Sequence, residues 1–499
     1  MLATLRTRTR ALLMLFPAFL ARLGVVDRQK GEEAFDLAVP VMVTGGMRTL
    51  LRVADFLMVS LALGAEAVAG LELGFQYYFI PFGLSLALSS GTISVISRFK
   101  GADDHAKADF AVKQSLWIAI LLAVPITVFT WLYARPLIAI LTNDPQTITY
   151  GAIYLKIIML SVSFRFWSMI AARALAGSGD TRTPMYVRLL TLPTNVALNA
   201  LLVFGLLGFP RLGVAGAAWG SAAANTLAGV IFFGLLLSGR YSVQLRLGGK
   251  QWDTSIAREI VRVGLPLAGT RLSRTFGRFP FLFILGVLGT EVLAAYAIGR
   301  RVMLLALMPA WGYSTAASTL VGQYVGAGDE DEAADYGWQT LRIALATQLL
   351  IAVGVIAFAR PIAAAFDATN VDLTVTFVRV FGVGVAGFSV SRTLRGGLRG
   401  AGDTSWPFYG GMLGTYVVRL PIAFAALPVG FGMTILGGTV LGVTLPSVTL
   451  APGLGWGLAG IFAAILADMY ARAVVNGTRY WSGAWKAVAR RSDVGASTD

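Results

Sequence analysis

The sequence has no cysteine, a single histidine and few charges. Of its 499 residues, 13% are Asp, Glu, Lys or Arg and 56% are hydrophobic, and the mean hydropathy is +0.71. The lack of cysteine excludes disulfides, thiolate catalysis and cysteine metal sites. So little charge over such a length is not typical of a soluble domain. The composition therefore predicts a polytopic membrane protein.

Twelve apolar runs are long enough to cross a bilayer, for which a helix needs ~20 residues. They cover about 35–62, 67–97, 107–133, 147–176, 184–207, 212–238, 256–288, 292–325, 335–358, 373–398, 405–428 and 454–477. Alternation typical of strands is missing from these runs, so the predicted fold class is all-α, with twelve transmembrane helices.

The basic residues indicate how the chain is oriented in the membrane. A net charge of +15 is also found in nucleic-acid-binding proteins, but in a membrane protein Lys and Arg collect in cytoplasmic loops. In a twelve-span arrangement most of them lie on one side, together with both termini. We therefore predict a multi-pass protein of the plasma membrane with cytoplasmic termini and no nucleic-acid partner.

Two segments fall outside the regular pattern. The stretch "ALLMLFPAFLARLGVV" follows a basic start and lacks a clear cleavage site, so an interfacial helix is favoured over a signal peptide. The uncharged, glycine-rich segment 429–453 is interpreted as a re-entrant or extracellular loop before the last helix, because a thirteenth span would move the basic C-terminus to the other side.

The chain contains an internal repeat. "LGAEAVAG" (63–70) matches "LGTEVLAA" (288–295), and "KGADDHAKA" (100–108) matches "VGAGDEDEA" (325–333), both at an offset of 225. Six spans per unit place both halves in the same direction, related by an axis along the membrane normal. The predicted regions are an N-terminal segment 1–33, a six-helix lobe 34–239, a linker 240–254, a second six-helix lobe 255–480 and a tail 481–499.

The motif Gly-x-Gly-Asp-Thr-x-x-Pro occurs twice, 223 positions apart, between the fourth and fifth spans of each half. A protease aspartate or a phosphate loop are possible interpretations, but a protease needs a second carboxylate within the membrane. We favour a structural connector, in which left-handed glycines end one helix, the aspartate caps the next and the proline occupies its first turn. Its residues are Gly177, Gly179, Asp180, Pro184, Gly400, Gly402, Asp403 and Pro407.

Taken together, these motifs resemble the multidrug and toxic compound extrusion (MATE) family, in particular its archaeal-type, DinF-like members within the MOP flippase superfamily. "VADFLMVSLALGAEAVAG", "NVALNALLVFG", "LGVAGAAWGSA" and "MPAWGYSTAASTLVGQYVGAGD" are similar to the family's first, fifth, sixth and eighth helices. The resemblance covers about residues 34–480. It implies an antiporter that exports amphipathic compounds by alternating access, driven by proton or sodium entry.

A cation-coupling site is predicted in the first lobe. Arg48, Arg52 and Asp55 share one face of the first span, and a carboxylate inside a membrane is costly unless it is paired or functional. A structural ion pair between Arg52 and Asp55 is the alternative. The resemblance adds Asn195, Asn199 and Ser221 as ligand groups, with a possible Na⁺ at Asp55. Asn199 stands where archaeal-type members carry a second carboxylate.

The second half is rich in arginine. The predicted substrate cleft and charge network contains Arg48, Arg52, Glu72, Gln76, Arg271, Arg274, Arg278 and Asp468. Asp468 is the deep carboxylate of this half. Such arginines would favour an anionic or zwitterionic substrate over the cationic drugs typical of the family, and both alternatives stay open.

Two functions are compatible with the sequence. The first is a secondary efflux transporter for amphipathic small molecules, and the second is a flippase for lipids or lipid-linked head groups. An enzyme is not predicted, because neither a nucleophile–base pair nor a metal cluster appears. No cofactor is expected beyond the coupling ion, H⁺ or Na⁺. The expected partners are the small-molecule substrate and membrane lipids, and the predicted state is a monomer.

Overall fold

The computed structural model describes residues 13–62, 65–366, 370–431, 433–435, 438–440, 443–445, 448–450 and 453–491. The side chains of Arg52, Asp55 and Arg271 lie outside the described part. All of the spans predicted from the sequence are present as helices, so the all-α, twelve-span class is confirmed.

The first lobe follows a short apolar helix. Its helices are α1 (Leu13–Arg22), α2 (Arg28–Ala62), α3 (Ala65–Gly101), α4 (His105–Ala139), α5 (Pro145–Leu160), α6 (Val162–Gly177), α7 (Arg182–Phe204) and α8 (Val214–Leu237), with a 3₁₀ turn at Leu206–Gly208. The helix α1 forms where the apolar part of the N-terminal segment predicts one.

The second lobe repeats this arrangement with more interruptions. Its helices are α9 (Thr254–Phe276), α10 (Arg278–Leu288), α11 (Thr290–Ala306), α12 (Met308–Gly326), α13 (Glu330–Ala357), α14 (Ala359–Ala365), α15 (Val371–Gly400), α16 (Ser405–Met412), a π-helical segment (Leu413–Arg419), α17 (Leu420–Ala425), α18 (Gly457–Trp481) and, after the last span, α19 (Ala484–Arg491).

Three spans that the sequence predicts as single helices are broken. The fourth span bends by 50° between α5 and α6, and the eighth bends by 43° between α11 and α12. At the first bend, the Ser161 hydroxyl donates to the Ile158 carbonyl at 2.8 Å, a local bond that competes with the helical ladder. At the second, Pro309 lies in the first turn of α12 and disfavours helical backbone at the residue before it. The seventh span breaks between α9 and α10 at Gly277.

Each lobe has its own apolar core. The larger core packs residues of α3–α8, such as Ile96, Leu155 and Phe232, and the core of the second lobe packs Phe281, Tyr296 and Phe377 with side chains of α17 and α18. The lobes also share apolar packing, because Phe35 and Ala38 of α2 form one cluster with Tyr313 and Leu320 of α12, and the larger core includes Ile260 of α9.

The uncharged segment before the last span contains four short strands. These are β1 (Met433–Ile435), β2 (Gly438–Val440), β3 (Val443–Leu445) and β4 (Val448–Leu450). β1 pairs with β4 and β2 with β3, both antiparallel and in one common register, so the four strands belong to a single hairpin. Its two ends come together where the Gly455 N–H donates to the Leu427 carbonyl at 2.8 Å. A β-hairpin therefore occupies the place where the sequence predicts a loop.

The repeated connectors have a common backbone geometry. In the first copy, the Gly179 N–H donates to Ala176 and the Asp180 N–H to Leu175, and Gly179 has φ +95°. These are the bonds of a Schellman motif, in which a left-handed residue ends the helix. The second copy repeats both bonds, with Gly402 at φ +86°. The motif recurs at 99–104 and 324–329, which confirms the repeat of "KGADDHAKA" and "VGAGDEDEA".

Two details of the predicted connector are wrong. Gly177 and Gly400 are the last helical residues rather than left-handed ones; a Cβ on Gly177 would lie 2.9 Å from the Ile93 carbonyl oxygen, so their role is close packing. Asp180 caps α7 as expected, accepting from the Thr183 N–H at 2.9 Å. Asp403 instead accepts a hydrogen bond from Arg479 Nε at 2.7 Å and is buried.

The prolines follow the connectors as predicted. Pro184 lies in the first turn of α7 and Pro407 in the first turn of α16. At these positions a missing backbone N–H removes no intrahelical hydrogen bond.

The lobes meet at the end of the bundle that carries the chain termini. Arg98 of α3 donates to Glu259 of α9 at 2.8 Å, and this pair is almost completely buried. Thr319 Oγ1 of α12 donates to the Ala176 carbonyl at 2.8 Å.

Part of this interface is backbone against backbone. A Cβ added to Gly101 would overlap the Gln323 carbonyl oxygen, and one added to Gly326 would overlap the Arg98 carbonyl oxygen. The glycines therefore allow the helix ends of the two lobes to touch without intervening side chains.

Candidate functional site

Two amides and a hydroxyl converge inside the first lobe. Asn195 and Asn199 lie one turn apart on α7, and their Nδ2 atoms donate to Ser221 Oγ of α8 at 3.2 and 3.4 Å. Asn199 is buried, and Gly220 makes room for it, because a Cβ there would overlap the Asn199 amide oxygen. The structure thus brings together the three polar residues that the sequence assigns to one site.

Asp55 lies on the neighbouring helix at a similar depth. The helices α2 and α7 pack side by side and run in the same direction. Asp55 lies seven residues before the end of α2. On α7, Asn195 lies nine residues and Asn199 five residues before the end of the helix, so the depth of Asp55 falls between theirs. At ~1.5 Å per residue these positions fall within one turn of each other in depth. The backbone therefore allows the predicted grouping, while the Asp55 side chain lies outside the described residues.

The polar face of α7 continues towards the termini. Arg188, Thr191, Asn195 and Asn199 are spaced by three, four and four residues, so they share one face of the helix. Arg188 and Thr191 are buried. Arg188 donates to Ser168 Oγ of α6 at 3.1 Å. The sequence reasoning missed this lower part of the face, although the spacing alone could have revealed it.

In the second lobe, Asp468 is buried in an ion pair. It accepts from Arg472 Nε, one turn along α18, at 2.7 Å, and Arg472 also donates to Thr415 Oγ1 at 2.8 Å. Thr415 lies in the π-helical segment, and π-helical turns often mark functional or strained positions. Gly414 leaves space for this pair, because a Cβ there would lie 2.6 Å from Asp468 Oδ1.

The polar face of α18 extends beyond this pair. Asn476 Nδ2 donates to the Ser391 hydroxyl at 3.0 Å, and Arg479 pairs with Asp403. Asp468 is therefore held in an ion pair within its own lobe, and the other polar residues of this face bond separately to α15 and to the second connector.

The remaining predicted charge-network residues are more scattered. Arg48 and Arg274 are half-buried, whereas Glu72, Gln76 and Arg278 are exposed. Arg278 and Arg419 are close enough to repel each other, and the Arg419 guanidinium lies 3.7 Å from the centre of the Phe281 ring. Among the described residues no group of three His, Asp or Glu side chains is placed to hold a metal ion.

Twelve spans in two lobes, with polar groups buried inside the spans, are typical of a membrane transporter. The family model MatE matches residues 40–201 and 266–425, and the chain belongs to this family of MATE transporters. The chain is 31% identical over 415 residues to the probable multidrug resistance protein NorM of Thermotoga maritima, covering 82% of this chain and 88% of that protein.

Further relatives agree. A probable multidrug resistance protein NorM of Mesorhizobium japonicum is 25% identical over 455 residues, covering 86% of this chain and 97% of the relative. An outward-facing multidrug resistance MATE transporter of the MOP superfamily has a TM-score of 0.78 at 21% identity, over 92% of this chain and 97% of that one. A MOP-superfamily transporter from Pyrococcus furiosus, described as having a binding pocket of reverse polarity, has a TM-score of 0.79 at 20% identity, over 92% and 96%. These structural likenesses show the fold.

Proposed function

We propose that this protein is a secondary efflux transporter that exports amphipathic small molecules by alternating access, coupled to H⁺ or Na⁺ entry. It lies in the plasma membrane with both termini in the cytoplasm. The observation that carries the coupling is the convergence of Asn195, Asn199 and Ser221 at the depth of Asp55. A carboxylate, two amides and a hydroxyl supply oxygen ligands for Na⁺, and the carboxylate alone can carry a proton.

The interface between the lobes supports the direction of access. The hydrogen bonds of Arg98 and Thr319 and the glycine contacts close the cleft at the end that bears the termini. We infer that this end opens in the alternate state. A cation that binds near Asp55 with different affinities in the two states shifts the balance between them. Coupled transport requires such a shift.

Proteoliposomes that hold the purified protein test this proposal. Export of a fluorescent amphipath is followed while pH and sodium gradients are imposed independently. We expect one of the gradients to drive export, and Asp55→Asn to abolish the driven component. Asp372→Asn serves as the matched control, because Asp372 is an exposed carboxylate paired with exposed Arg360 at 3.6 Å. Gradient-driven export by Asp55→Asn at the normal rate would contradict the coupling role. Lipid scrambling without any ion dependence would favour the flippase instead.

A further inference from the structure

Two neighbouring arginines inside the first lobe form no ion pair with a carboxylate of the described residues. They are Arg165 on α6 and Arg188 on α7, and neither forms an ion pair within the described part of the chain. Arg188 is only 5% exposed. Burying a charge without a counter-charge is costly, and these two also repel each other.

Several arginines elsewhere in the described part of the chain pair with a carboxylate. Arg98, Arg182, Arg472 and Arg479 each donate to one at 2.6 to 2.8 Å. Others, such as Arg173 and Arg399, donate to hydroxyl or carbonyl oxygens, as Arg188 does, whereas Arg165 Nε is buried with no acceptor among the described residues.

The two arginines lie near each other, and the packing of their helices explains this. The Arg188–Ser168 bond fixes the register between α6 and α7, which run in opposite directions. On α6, Arg165 lies one turn beyond Ser168 as counted from the connector between the two helices. On α7, Thr191 lies one turn beyond Arg188 as counted from the same connector. Arg165 and Thr191 therefore face each other at the level above the bond.

The groups at that level are donors with no acceptor. Arg165 Nε and Thr191 Oγ1 are both buried atoms without a hydrogen-bond partner among the described residues. Leaving such groups unsatisfied costs about 1–3 kcal/mol each, more when one is charged. The guanidinium of Arg165 lies 5.5 Å from the centre of the Phe82 ring, and that of Arg188 lies 5.8 Å from the centre of the Phe232 ring, so apolar surface borders the charges.

We propose that Arg165, Arg188 and Thr191 form the head-group site for an anionic amphipath, such as a carboxylate, sulfonate or phosphate carried on an apolar body. This deepens the proposed function by naming the charge of its substrate. An anion supplies the acceptors that the donors lack and neutralises the repulsion between the guanidinium groups. The head group would sit below Asn195 on the same face of α7.

Equilibrium binding to the purified full-length protein tests this proposal without any ion gradient. Two xanthene dyes of similar size serve as probes, anionic carboxyfluorescein and cationic rhodamine 123, with fluorescence polarisation as the readout. We expect the anion to bind at least about tenfold more tightly than the cation. Arg165→Gln and Arg188→Gln should each weaken anion binding by about tenfold or more, the effect of one charge-assisted hydrogen bond, and leave cation binding unchanged.

Control variants keep the result independent of folding. Arg379→Gln removes an exposed arginine from a span of the other lobe and should bind both dyes as the parent does. Thr191→Val keeps the side-chain shape and should weaken only anion binding, and Arg165→Lys should retain most of it. Size-exclusion elution and thermal unfolding identify any variant that misfolds. If a glutamine variant misfolds, dye binding by Thr191→Val and Arg165→Lys tests the proposal instead.

Competition separates the two sources of such an anion. Displacement of the dye by soluble aryl carboxylates indicates a small-molecule substrate, and displacement only by phosphatidylglycerol in mixed micelles indicates a lipid head group; both support an anion site. Equal or tighter binding of the cation, or parental anion binding by both glutamine variants, would overturn the proposal. Arginine-dependent binding with no gradient-driven export would refute the transport coupling and leave the anion site standing.

Discussion

Replacing Glu259 by glutamine would leave Arg98 buried without its carboxylate. The two side chains belong to different lobes, and Arg98 is 1% exposed and Glu259 13% exposed where they meet. When the lobes separate at this end, water can solvate both groups. The cost of the substitution therefore falls on the closed state, and the balance shifts towards the state that is open at the termini.

The magnitude follows from the burial of the pair. Removing one partner of a buried ion pair typically costs about 3–5 kcal/mol. The Glu259 side chain is slightly exposed and also accepts from Arg262 at 2.8 Å, so we expect about 2–3 kcal/mol. With a factor of ten for each ~1.4 kcal/mol, the population open at this end should rise about 30- to 150-fold.

The cysteine-free sequence provides a direct assay. A single Ser97→Cys substitution introduces one thiol at a position that is 0% exposed in the closed interface. The rate at which a membrane-impermeant maleimide labels this thiol reports the open population, provided that opening and closing are fast. Adding Glu259→Gln to this background should raise the rate by the factor above.

Arg262→Gln is the matched control. It removes the other cation that contacts Glu259, but the Arg262 side chain is 48% exposed, and exposed pairs contribute about 0–1 kcal/mol. Its labelling rate should rise less than about fivefold. A rate for Glu259→Gln within threefold of the parent would refute the role of this pair in holding the lobes together.

Two further predictions concern the connectors. Asp403→Asn should lower the thermal unfolding midpoint measured by tryptophan fluorescence, because it removes the buried carboxylate that pairs with Arg479, at a cost of about 3 kcal/mol. Asp180→Asn should change the midpoint little, because an amide also caps a helix, and equal midpoints for the two variants would contradict this. Gly326→Ala should increase maleimide labelling of Ser97→Cys, because the added Cβ forces the lobes apart. Gly328 has φ +80° and open space around it, so Gly328→Ala should destabilise the fold by about 1 kcal/mol without faster labelling.

Local signals made the fold predictable. Apolar runs of spanning length, followed by glycine and aspartate at helix ends, depend only on neighbouring residues, so the spans and connectors could be placed from the sequence. The repeat then implied two lobes. The breaks at Ser161 and Gly277 were missed, because each run stays apolar through the break.

Distant partners could not be predicted. Asp180 and Asp403 occupy the same motif, yet one caps a helix and the other pairs with Arg479, 76 residues away. The grouping of Asn195, Asn199 and Ser221 came from the family resemblance, and the structure supports it for these three residues. The placement of Arg165 and Thr191 at one level depends on the register between two helices, which sequence spacing does not determine.

The glycine contacts between the lobes bear on how easily this protein can change shape. Where glycines meet backbone carbonyls, the interface buries few apolar atoms, so separating these contacts exposes little surface that water disfavours, in contrast to the apolar cluster that α2 forms with α12 and α13. The carbonyls that it releases find hydrogen-bond partners in the solvent. Closed and open forms built in this way can differ by only a few kcal/mol, a gap that the binding of one ion or one substrate is sufficient to reverse. Larger residues at the same positions would hold the lobes apart, because even a Cβ overlaps the opposing carbonyl oxygens.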